Sequence, residues 1–167
     1  GNVFKMARIS TAGAATSADV ADGFVEVFTH VMKRSSAPMV EFAERHELSF
    51  SQLKMIFVLA NAEVAMPIGH VAETVGLSLP AAGRAVDGLV RQKLATRTED
   101  PDDRRVKLVQ ITDKGTEGIQ VIAEHRAAVL RELLEGLPED ELAAMASAVA
   151  SLRKSVDQTT NREEGRS

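Results

Sequence analysis

Cysteine, tryptophan and tyrosine are absent from the 167-residue sequence, and aromatic residues make up only 4% of it. Without cysteine, disulfides, thiolate zinc sites and thiol redox sensing are excluded, which fits a reducing, cytoplasmic location. With so few rings, aliphatic side chains and alanine must fill the core, which favours helices. No apolar run approaches the roughly 20 residues that cross a bilayer, and no signal-peptide order is seen, so we expect no membrane association.

Charge is unevenly distributed along the chain. The net charge is −4, yet residues 76–114 hold eight Lys and Arg against six Asp and Glu, a local excess of two positive charges. DNA binding depends on the field at the contact face, so an acidic total does not exclude it. The length indicates one compact domain with a sizeable core.

Helical periodicity dominates the sequence, because apolar residues recur at three- and four-residue steps. Such segments lie at 19–46 with an interruption at Pro38, and at 49–60, 66–76, 78–94, 112–137 and 142–156. Residues 95–99 and 106–111 are extended around a turn, which predicts a two-stranded hairpin. A short helix, a glycine turn, a longer helix and a hairpin form a winged helix-turn-helix. We therefore predict a mainly α fold with a small β-hairpin wing.

The segment TEDPDDRRVKLVQITDKG (98–115) concentrates charge of both signs at one turn. As an enzyme site it lacks a nearby histidine and the apolar cover that shifts a carboxyl pKa. As a calcium loop it lacks alternating ligands and a central glycine. A solvated turn whose ions pair with each other is a third interpretation. As a wing, it would present Arg104 and Arg105 to a minor groove, with the carboxylates orienting the guanidinium groups by bidentate pairing.

The position of this turn directly after a helix-turn-helix favours the wing. We therefore expect no enzyme activity and no cofactor. The four histidines lack the spacing of metal ligands, so we expect no metal site either.

Residues 100–115 resemble the wing signature of the multiple-antibiotic-resistance regulators, the MarR family. That signature is an Asp, a basic residue and an Arg, then a strand, Leu-Thr, and a basic-Gly pair that opens a helix. The matching positions are Asp103, Arg104, Arg105, Ile111, Thr112, Lys114 and Gly115. Residues 70–97 are similar to the family's helix-turn-helix. The resemblance implies a homodimeric, ligand-responsive repressor of a pseudo-palindromic operator in double-stranded DNA, with Asp87 paired to Arg105.

The resemblance also implies how the chain is divided. We expect a flexible amino-terminal arm at 1–18, an N-terminal dimerisation helix at 19–48, a winged helix-turn-helix DNA-binding lobe at 49–111, C-terminal dimerisation helices at 112–157 and a flexible tail at 158–167. Two such lobes in a dimer should place their recognition helices roughly 34–36 Å apart, one turn of DNA.

The 78–93 helix is predicted to enter the major groove. Arg84 is the candidate for bidentate bonds to guanine, with a phosphate contact as the alternative. Ser78 lies near DNA at the helix start or merely caps the helix, and Arg91, Arg97 and Lys107 are candidates for phosphate contacts. The predicted DNA-binding residues are Ser78, Pro80, Ala81, Arg84, Asp87, Arg91, Arg104, Arg105 and Lys107.

Three positions depart from the family pattern: Gly83 stands where Ser or Thr is frequent, Gly88 where Arg is frequent, and Lys93 where Gly is usual. The two glycines weaken the helix by about 1 kcal/mol each relative to Ala, and their small size would let the backbone approach the groove. They also leave open a second function, a module that senses a small molecule or a partner protein and has lost strong operator reading.

The family further implies a small anionic or phenolic effector that binds between the dimer helices and the DNA-binding lobe. Five residues are candidates to line its pocket, with ordinary core or surface packing as the alternative for each. They are His30, Met32, Met55, Phe57 and His125.

Overall fold

Seven helices and three short strands make up residues 16–164, the part of the chain that the computed structural model describes. The helices are α1 (Ser17–Arg34), α2 (Ala37–Arg45), α3 (Phe50–Ala60), α4 (Ile68–Val75), α5 (Leu79–Arg91), α6 (Asp113–Leu134) and α7 (Glu139–Glu164). The strands are β1 (Met66–Pro67), β2 (Ala95–Glu99) and β3 (Lys107–Ile111). The chain divides into one unit that ends at Ala127 and another that begins at Ala128. The predicted mainly helical fold with a small hairpin is confirmed.

The ends of the helices follow from local side-chain and backbone chemistry. Ser49 caps α3, because the Gln52 N–H donates to Ser49 Oγ at 3.3 Å and the Ser49 N–H donates to Gln52 Oε1 at 2.8 Å, a reciprocal capping box. Pro38 lies in the first turn of α2, where its missing N–H costs no helical bond, so α1 ends before it. Gly76 ends α4 with φ of 73°, the left-handed region that glycine enters freely.

Both outer helices extend beyond the predicted limits. Helix α1 begins at Ser17 rather than Asp19, since Thr16 caps it and Asp19 Oδ2 accepts the Thr16 N–H at 2.9 Å. Helix α7 continues to Glu164, so the prediction of a loose tail from residue 158 is wrong up to that point. No glycine or proline occurs between 139 and 164 to end the helix. Residues 1–15 of the predicted arm and 165–167 of the predicted tail lie outside the described residues.

The sheet has one strand more than the predicted hairpin. Strands β2 and β3 pair antiparallel, with Ala95 opposite Ile111 and Glu99 opposite Lys107. Strand β1 adds to the other edge of β3, with Met66 opposite Val109, and the strand order is β1-β3-β2. Pro67 therefore ends this edge strand and precedes α4, whereas the sequence pattern predicted a helical segment that already began at 66.

The core that holds α5 in place is built from aliphatic side chains of α3, α4, α5 and the hairpin. Its members include Met55, Ile56, Leu59, Val71, Val75, Ala82, Val86, Leu89, Leu94 and Val109. Three of these, Ala82, Val86 and Leu89, are fully buried on one side of α5. The opposite side of the helix is thereby fixed towards solvent.

Lys93 adopts the left-handed conformation that ends α5. Its φ is 60°, its N–H donates to Val90 O at 2.9 Å, and the Leu94 N–H donates to Leu89 O at 2.9 Å. These two bonds form a Schellman motif, in which glycine is the usual left-handed residue. A lysine there is strained relative to glycine, because its Cβ crowds the following carbonyl. The turn from α5 into β2 therefore has the left-handed geometry that glycine usually adopts, although Lys93 disfavours that conformation.

Candidate nucleic-acid interface

The exposed side of α5 carries the predicted groove-facing residues. Arg84, Asp87 and Arg91 are all exposed, opposite the buried Ala82 and Val86. At the start of the helix, Ser78 is the N-cap residue, with φ of −68° and ψ of 151°, but its side chain makes no capping hydrogen bond. The exposed hydroxyl of Ser78 therefore does not cap the helix. Pro80 beside it is exposed and Ala81 is half-buried.

Four arginines stand without partners on α5 and on the hairpin turn. Within residues 16–164, the side chains of Arg84, Arg91, Arg104 and Arg105 form no hydrogen bond and no ion pair. All four are exposed. Their charge is therefore not neutralised inside the protein, and their donors are available to phosphate oxygens or base edges.

The acidic residues of the hairpin turn hold its backbone rather than its arginines. Asp100 Oδ1 accepts the N–H groups of Asp102 at 2.8 Å and Asp103 at 3.2 Å. Asp103 Oδ1 accepts the backbone N–H of Arg105 at 3.0 Å. The expectation that these carboxylates orient the guanidinium groups by bidentate pairing is wrong, since these turn aspartates bond backbone N–H groups two or three residues further along the chain. The acids fix the shape of the turn and leave the arginines free.

Asp87 ties α5 to the hairpin through a different arginine from the one implied by the family pattern. Its Oδ1 accepts a hydrogen bond from Arg97 Nη1 at 3.0 Å, not from Arg105. Both side chains remain substantially exposed, so the pair contributes little to stability by itself. It links the exposed side of α5 to β2. Arg105, with its side chain released from this role, is free for an external contact.

Lys107 is held by the hairpin itself. Its Nζ donates to Glu99 Oε1 at 2.5 Å, directly across the strand pair, and to Arg104 O at 3.2 Å. The lysine is half-buried. Of the predicted DNA-binding cations, it is the one whose donors are already engaged in the described structure.

A cleft of about 480 Å³ separates α5 from the hairpin. Leu79 and Gly83 line it from the helix, and Ile68 lines it from the start of α4. Three cations line it from the hairpin: Arg97, Arg105 and Lys107. The cleft therefore has apolar walls on the helix side and positive charges on the hairpin side, and it opens on the surface that carries the unpaired arginines.

The start of α6 anchors the end of α5. Thr112 Oγ1 donates to Lys93 O at 2.8 Å, Lys114 Nζ donates to Gln92 O at 3.0 Å, and the Thr112 N–H donates to Leu94 O at 3.0 Å. The carbonyls left open at the end of a helix are satisfied in this way. Thr112 Oγ1 also accepts the Gly115 N–H at 3.1 Å and so caps α6. The sequence pattern predicts a helix that begins at 112, but it does not indicate this anchor, which joins residues about 20 positions apart.

Comparison with known proteins identifies this arrangement. A family model described as "MarR family" matches residues 46–106. The uncharacterised HTH-type transcriptional regulator YhbI of Bacillus subtilis is 30% identical over 111 residues, which cover 66% of this chain and 71% of YhbI. The chain belongs to the MarR family.

Two further proteins are similar to this chain. The HTH-type transcriptional repressor MdtR of B. subtilis is 28% identical over 121 residues, 71% of this chain and 76% of MdtR. The crystal structure of the transcriptional regulator Tm0710 of Thermotoga maritima has the same fold, with a TM-score of 0.71 at 19% identity over 87% of this chain and 99% of Tm0710. The predicted winged helix-turn-helix is confirmed, and the chain is a DNA-binding transcription regulator of the MarR family rather than an enzyme.

Among the departures from the family pattern, Gly88 has a role unlike the predicted one. It is buried and faces α3, where a Cβ would lie 1.9 Å from Gln52 Nε2. The absent side chain therefore leaves room for the Gln52 amide, which donates to Ala85 O at 3.4 Å, and does not bring the backbone near a groove. Gly83 lies on the other side of the helix, where a Cβ would meet nothing within 4 Å.

The five residues predicted to line an effector pocket are spread over different environments. Met55 has no exposed surface and packs in the core, so in this structure it lines no open pocket. His30 and His125 are exposed, and Met32 and Phe57 are half-buried. Neither the α5–hairpin cleft nor a smaller cavity of about 80 Å³ between Pro38 and Val121 includes any of the five.

His46 lies beneath the end of α5, at the C-cap of α2. Its ring is buried and packs edge-on against Phe42, with 4.9 Å between ring centroids. Burial lowers the pKa of His46 from its usual 6.5, and the positive charges of Lys114 and Arg45 lower it further, whereas a side-chain hydrogen bond with Gln92 acts in the opposite direction. The neutral ring therefore supports the folded junction between α2, α5 and α6.

We expect acidification to destabilise this regulator through His46. The unfolded chain takes up the proton first, so the stability contributed by the neutral ring falls as pH drops through about 6.5 and on towards the lower pKa of the folded state. Urea unfolding measured between about pH 7.5 and 5.5 should show a smaller pH dependence in His46→Gln than in the unchanged protein. His125→Gln, at an exposed position, is the control and should keep the full dependence. Identical pH profiles for His46→Gln and the unchanged protein would contradict the assignment.

Among residues 16–164, no group of three or more His, Cys, Asp or Glu side chains could hold a metal ion. No helix in that range combines the length and the apolar character needed to cross a membrane.

Proposed function

We propose that this MarR-family regulator is a homodimeric repressor that binds a pseudo-palindromic operator in double-stranded DNA and is released from it by a small anionic or phenolic ligand. The observation that carries the DNA contact is the set of unpaired guanidinium groups on α5 and the hairpin turn. Helix α5 enters the major groove and the turn acts as a wing along the neighbouring minor groove.

The proposed roles differ from residue to residue. Arg84 reads a guanine edge by bidentate hydrogen bonds, whereas Arg91 and Arg104 neutralise phosphates and Arg105 enters the minor groove. The hydroxyl of Ser78, which makes no capping bond, donates to a phosphate. Pro80 and Ala81 approach base edges at the start of α5. Asp87 acts through Arg97, by holding the hairpin beside the helix, and Lys107 supports the turn from within.

Exposed apolar faces support the homodimer. On α1, Phe24 is 61% exposed and Phe28 is 53% exposed, and Val20 and Val27 share this exposure. On α7, an exposed series recurs at three- and four-residue steps: Leu142, Met145, Val149, Leu152 and Val156. Faces of this kind normally pack against a partner, and the rhythm on α7 is that of a helix–helix seam. We infer that a second copy of the chain covers them.

Repression and its relief are supported by separate observations. MdtR, whose name describes a transcriptional repressor, is similar over most of this chain. For the effector, the α5–hairpin cleft offers apolar walls with Arg97 and Arg105 at its side. A ligand with a carboxylate or phenolate on an apolar ring matches those walls and charges. Because Arg105 is also a proposed DNA contact, a ligand in the cleft would compete with the operator.

The dependence of binding on salt tests the DNA contact. An operator is first selected from a random pool of duplex DNA, and its affinity is then measured at increasing salt. We expect a steep linear fall of log affinity with log salt, because each neutralised phosphate releases counterions and contributes about −0.9 to the slope. Arg84→Ala should weaken binding by about 1–3 kcal/mol and relax the preference for one base pair, whereas Arg105→Ala should weaken all sequences evenly and flatten the slope.

Arg45 provides a matched control, because it is an exposed arginine already paired with Glu41 on the same helix. Arg45→Ala should leave both the affinity and the salt slope unchanged. Equal patterns of loss for Arg84→Ala and Arg105→Ala would contradict their separate roles. A weak and salt-independent response of the unchanged protein would instead favour a sensing module that does not read an operator.

A further inference from the structure

The exposed side of α5 has two edges of different chemistry. At roughly 100° per residue, Arg84 projects about 140° away from Leu79 and about 100° away from Gly83. Leu79 and Gly83 face the hairpin and line the cleft beside Arg105 and Val106. One edge of the helix is therefore cationic, and the other is apolar and lies next to the wing.

Leu79 is a large apolar side chain in the first turn of α5, and 59% of its surface is exposed. The first turn is the part of a recognition helix that contacts base edges. The unpaired cation that lines the same cleft, Arg105, attracts a phosphate backbone whatever its sequence. The apolar side chain of Leu79 can instead contact an apolar group on the edge of a base.

Gly83 leaves room for such a feature. It lies one helical turn after Leu79 on the same edge, and a Cβ built at this position would have no atom within 4 Å apart from its chain neighbours and the adjoining backbone of α5. The backbone of Gly83, the side chain of Leu79 and the half-buried Val106 thus border an open space large enough for a methyl group. Alanine at position 83 would place its own methyl group in that space.

In the major groove, only thymine presents a methyl group, at C5. We propose that Leu79 and Gly83 form a niche for a thymine methyl group, so that each operator half-site requires a thymine opposite the wing side of α5 in addition to the base pair read by Arg84. This inference rests on the proposed function, because it needs α5 in the major groove.

Deoxyuridine tests the niche because it differs from thymidine only by the missing methyl group. Each thymine of the selected operator is replaced singly by deoxyuridine, and the affinity of the full-length protein is measured. We expect one position in each half-site to lose about three- to fivefold in affinity, the factor for one buried methyl group. Leu79→Ala and Gly83→Ala should each bind the thymine operator more weakly and show no further loss with deoxyuridine at that position.

Arg84→Ala is the matched control, since it should lose discrimination at its own base pair and keep the deoxyuridine penalty. Gly83→Ala should also remain folded, because the added Cβ meets no atom beyond its own stretch of helix within 4 Å. Two results would overturn the niche, provided that the unchanged protein still binds its operator with a steep salt dependence. One is that no thymine loses affinity on replacement by deoxyuridine. The other is that this loss of affinity persists in Leu79→Ala and Gly83→Ala. Failure of the unchanged protein to bind any selected duplex in that manner would overturn the proposed function and the niche together.

Discussion

Phe24→Asp and Val149→Asp are each expected to convert the proposed homodimer into monomers. Phe24 on α1 is 61% exposed and Val149 on α7 is 48% exposed, each within a row of other exposed apolar side chains. In a symmetric dimer every substitution occurs twice, and each copy places a carboxylate in an apolar interface without a partner. The dimer dissociation constant should rise by at least about 100-fold, the loss typical of a central interface residue. Sedimentation at several protein concentrations measures it directly.

Phe50→Asp is the control for these variants. Phe50 is 77% exposed, at the first position of α3, where an added carboxylate is favourable to the helix. It should leave the dimer intact. A protein that sediments as a monomer without any substitution, or as an unchanged dimer with Phe24→Asp and with Val149→Asp, would contradict the proposed interface. Far-UV circular dichroism separates loss of the dimer from loss of the fold.

Dimerisation and operator affinity are expected to fall together. One lobe offers only a few cations to DNA, so its contact with a single half-site is weak. Two linked lobes raise the effective concentration at the second half-site, and the gain commonly reaches 10²- to 10⁴-fold. The monomeric variants should therefore lose operator binding although Arg84 and the wing arginines are unchanged. Their affinity for a single half-site should stay the same as that of the unsubstituted lobe.

The elements that were predicted correctly are those encoded by local patterns. Helix α3 follows from Ser49 and its apolar spacing, and α4 ends at Gly76 because only glycine adopts that backbone without strain. The exposure of Arg84 and Arg91 follows from the periodicity of α5, since Ala82 and Val86 are buried. In each case the signal lies within a few residues of the feature that it predicts.

The features that were missed depend on contacts between distant parts of the chain. Strand β1 is two residues long and exists through its pairing with β3, which no local pattern encodes. The partner of Asp87 is decided by how β2 lies against α5, so the sequence alone did not distinguish Arg97 from Arg105. Gly88 gave the same local signal as Gly83, although one packs against Gln52 and the other borders open space. Position in the fold, and not residue type, separates their roles.

The family signature at the start of α6 gains a physical explanation from these contacts. Thr112 and Lys114 bond the carbonyls of Lys93 and Gln92, and so hold the end of the recognition helix. Gly115 completes the anchor, because its α-carbon lies so close to the turn after α5 that a Cβ would be 2.5 Å from Leu94 O and 2.7 Å from Ile111 Cγ1. This part of the signature therefore fixes the end of α5 against the start of α6.

Gly115→Ala is accordingly expected to lower the free energy of unfolding by about 1–3 kcal/mol, the range for forcing extra volume into a packed site. The atom in conflict is a backbone carbonyl oxygen, which cannot turn aside as the end of a long side chain can. Relief requires α6 to move away from the turn, and that movement stretches the bonds from Thr112 and Lys114 to the end of α5. Urea unfolding measures the loss of stability.

Gly83→Ala makes the same chemical change in a helix, but we expect it to raise the free energy of unfolding instead of lowering it. Its Cβ meets nothing within 4 Å, so the variant should gain about 0.5–1 kcal/mol from the lower backbone entropy of alanine in the unfolded chain. Similar effects of the two substitutions would contradict the close approach at Gly115. Operator binding also distinguishes the two variants, provided that it is measured under conditions where both are folded. Gly115→Ala should weaken all base-pair preferences together, because the whole of α5 loses its anchor. Gly83→Ala should change the preference at one thymine only.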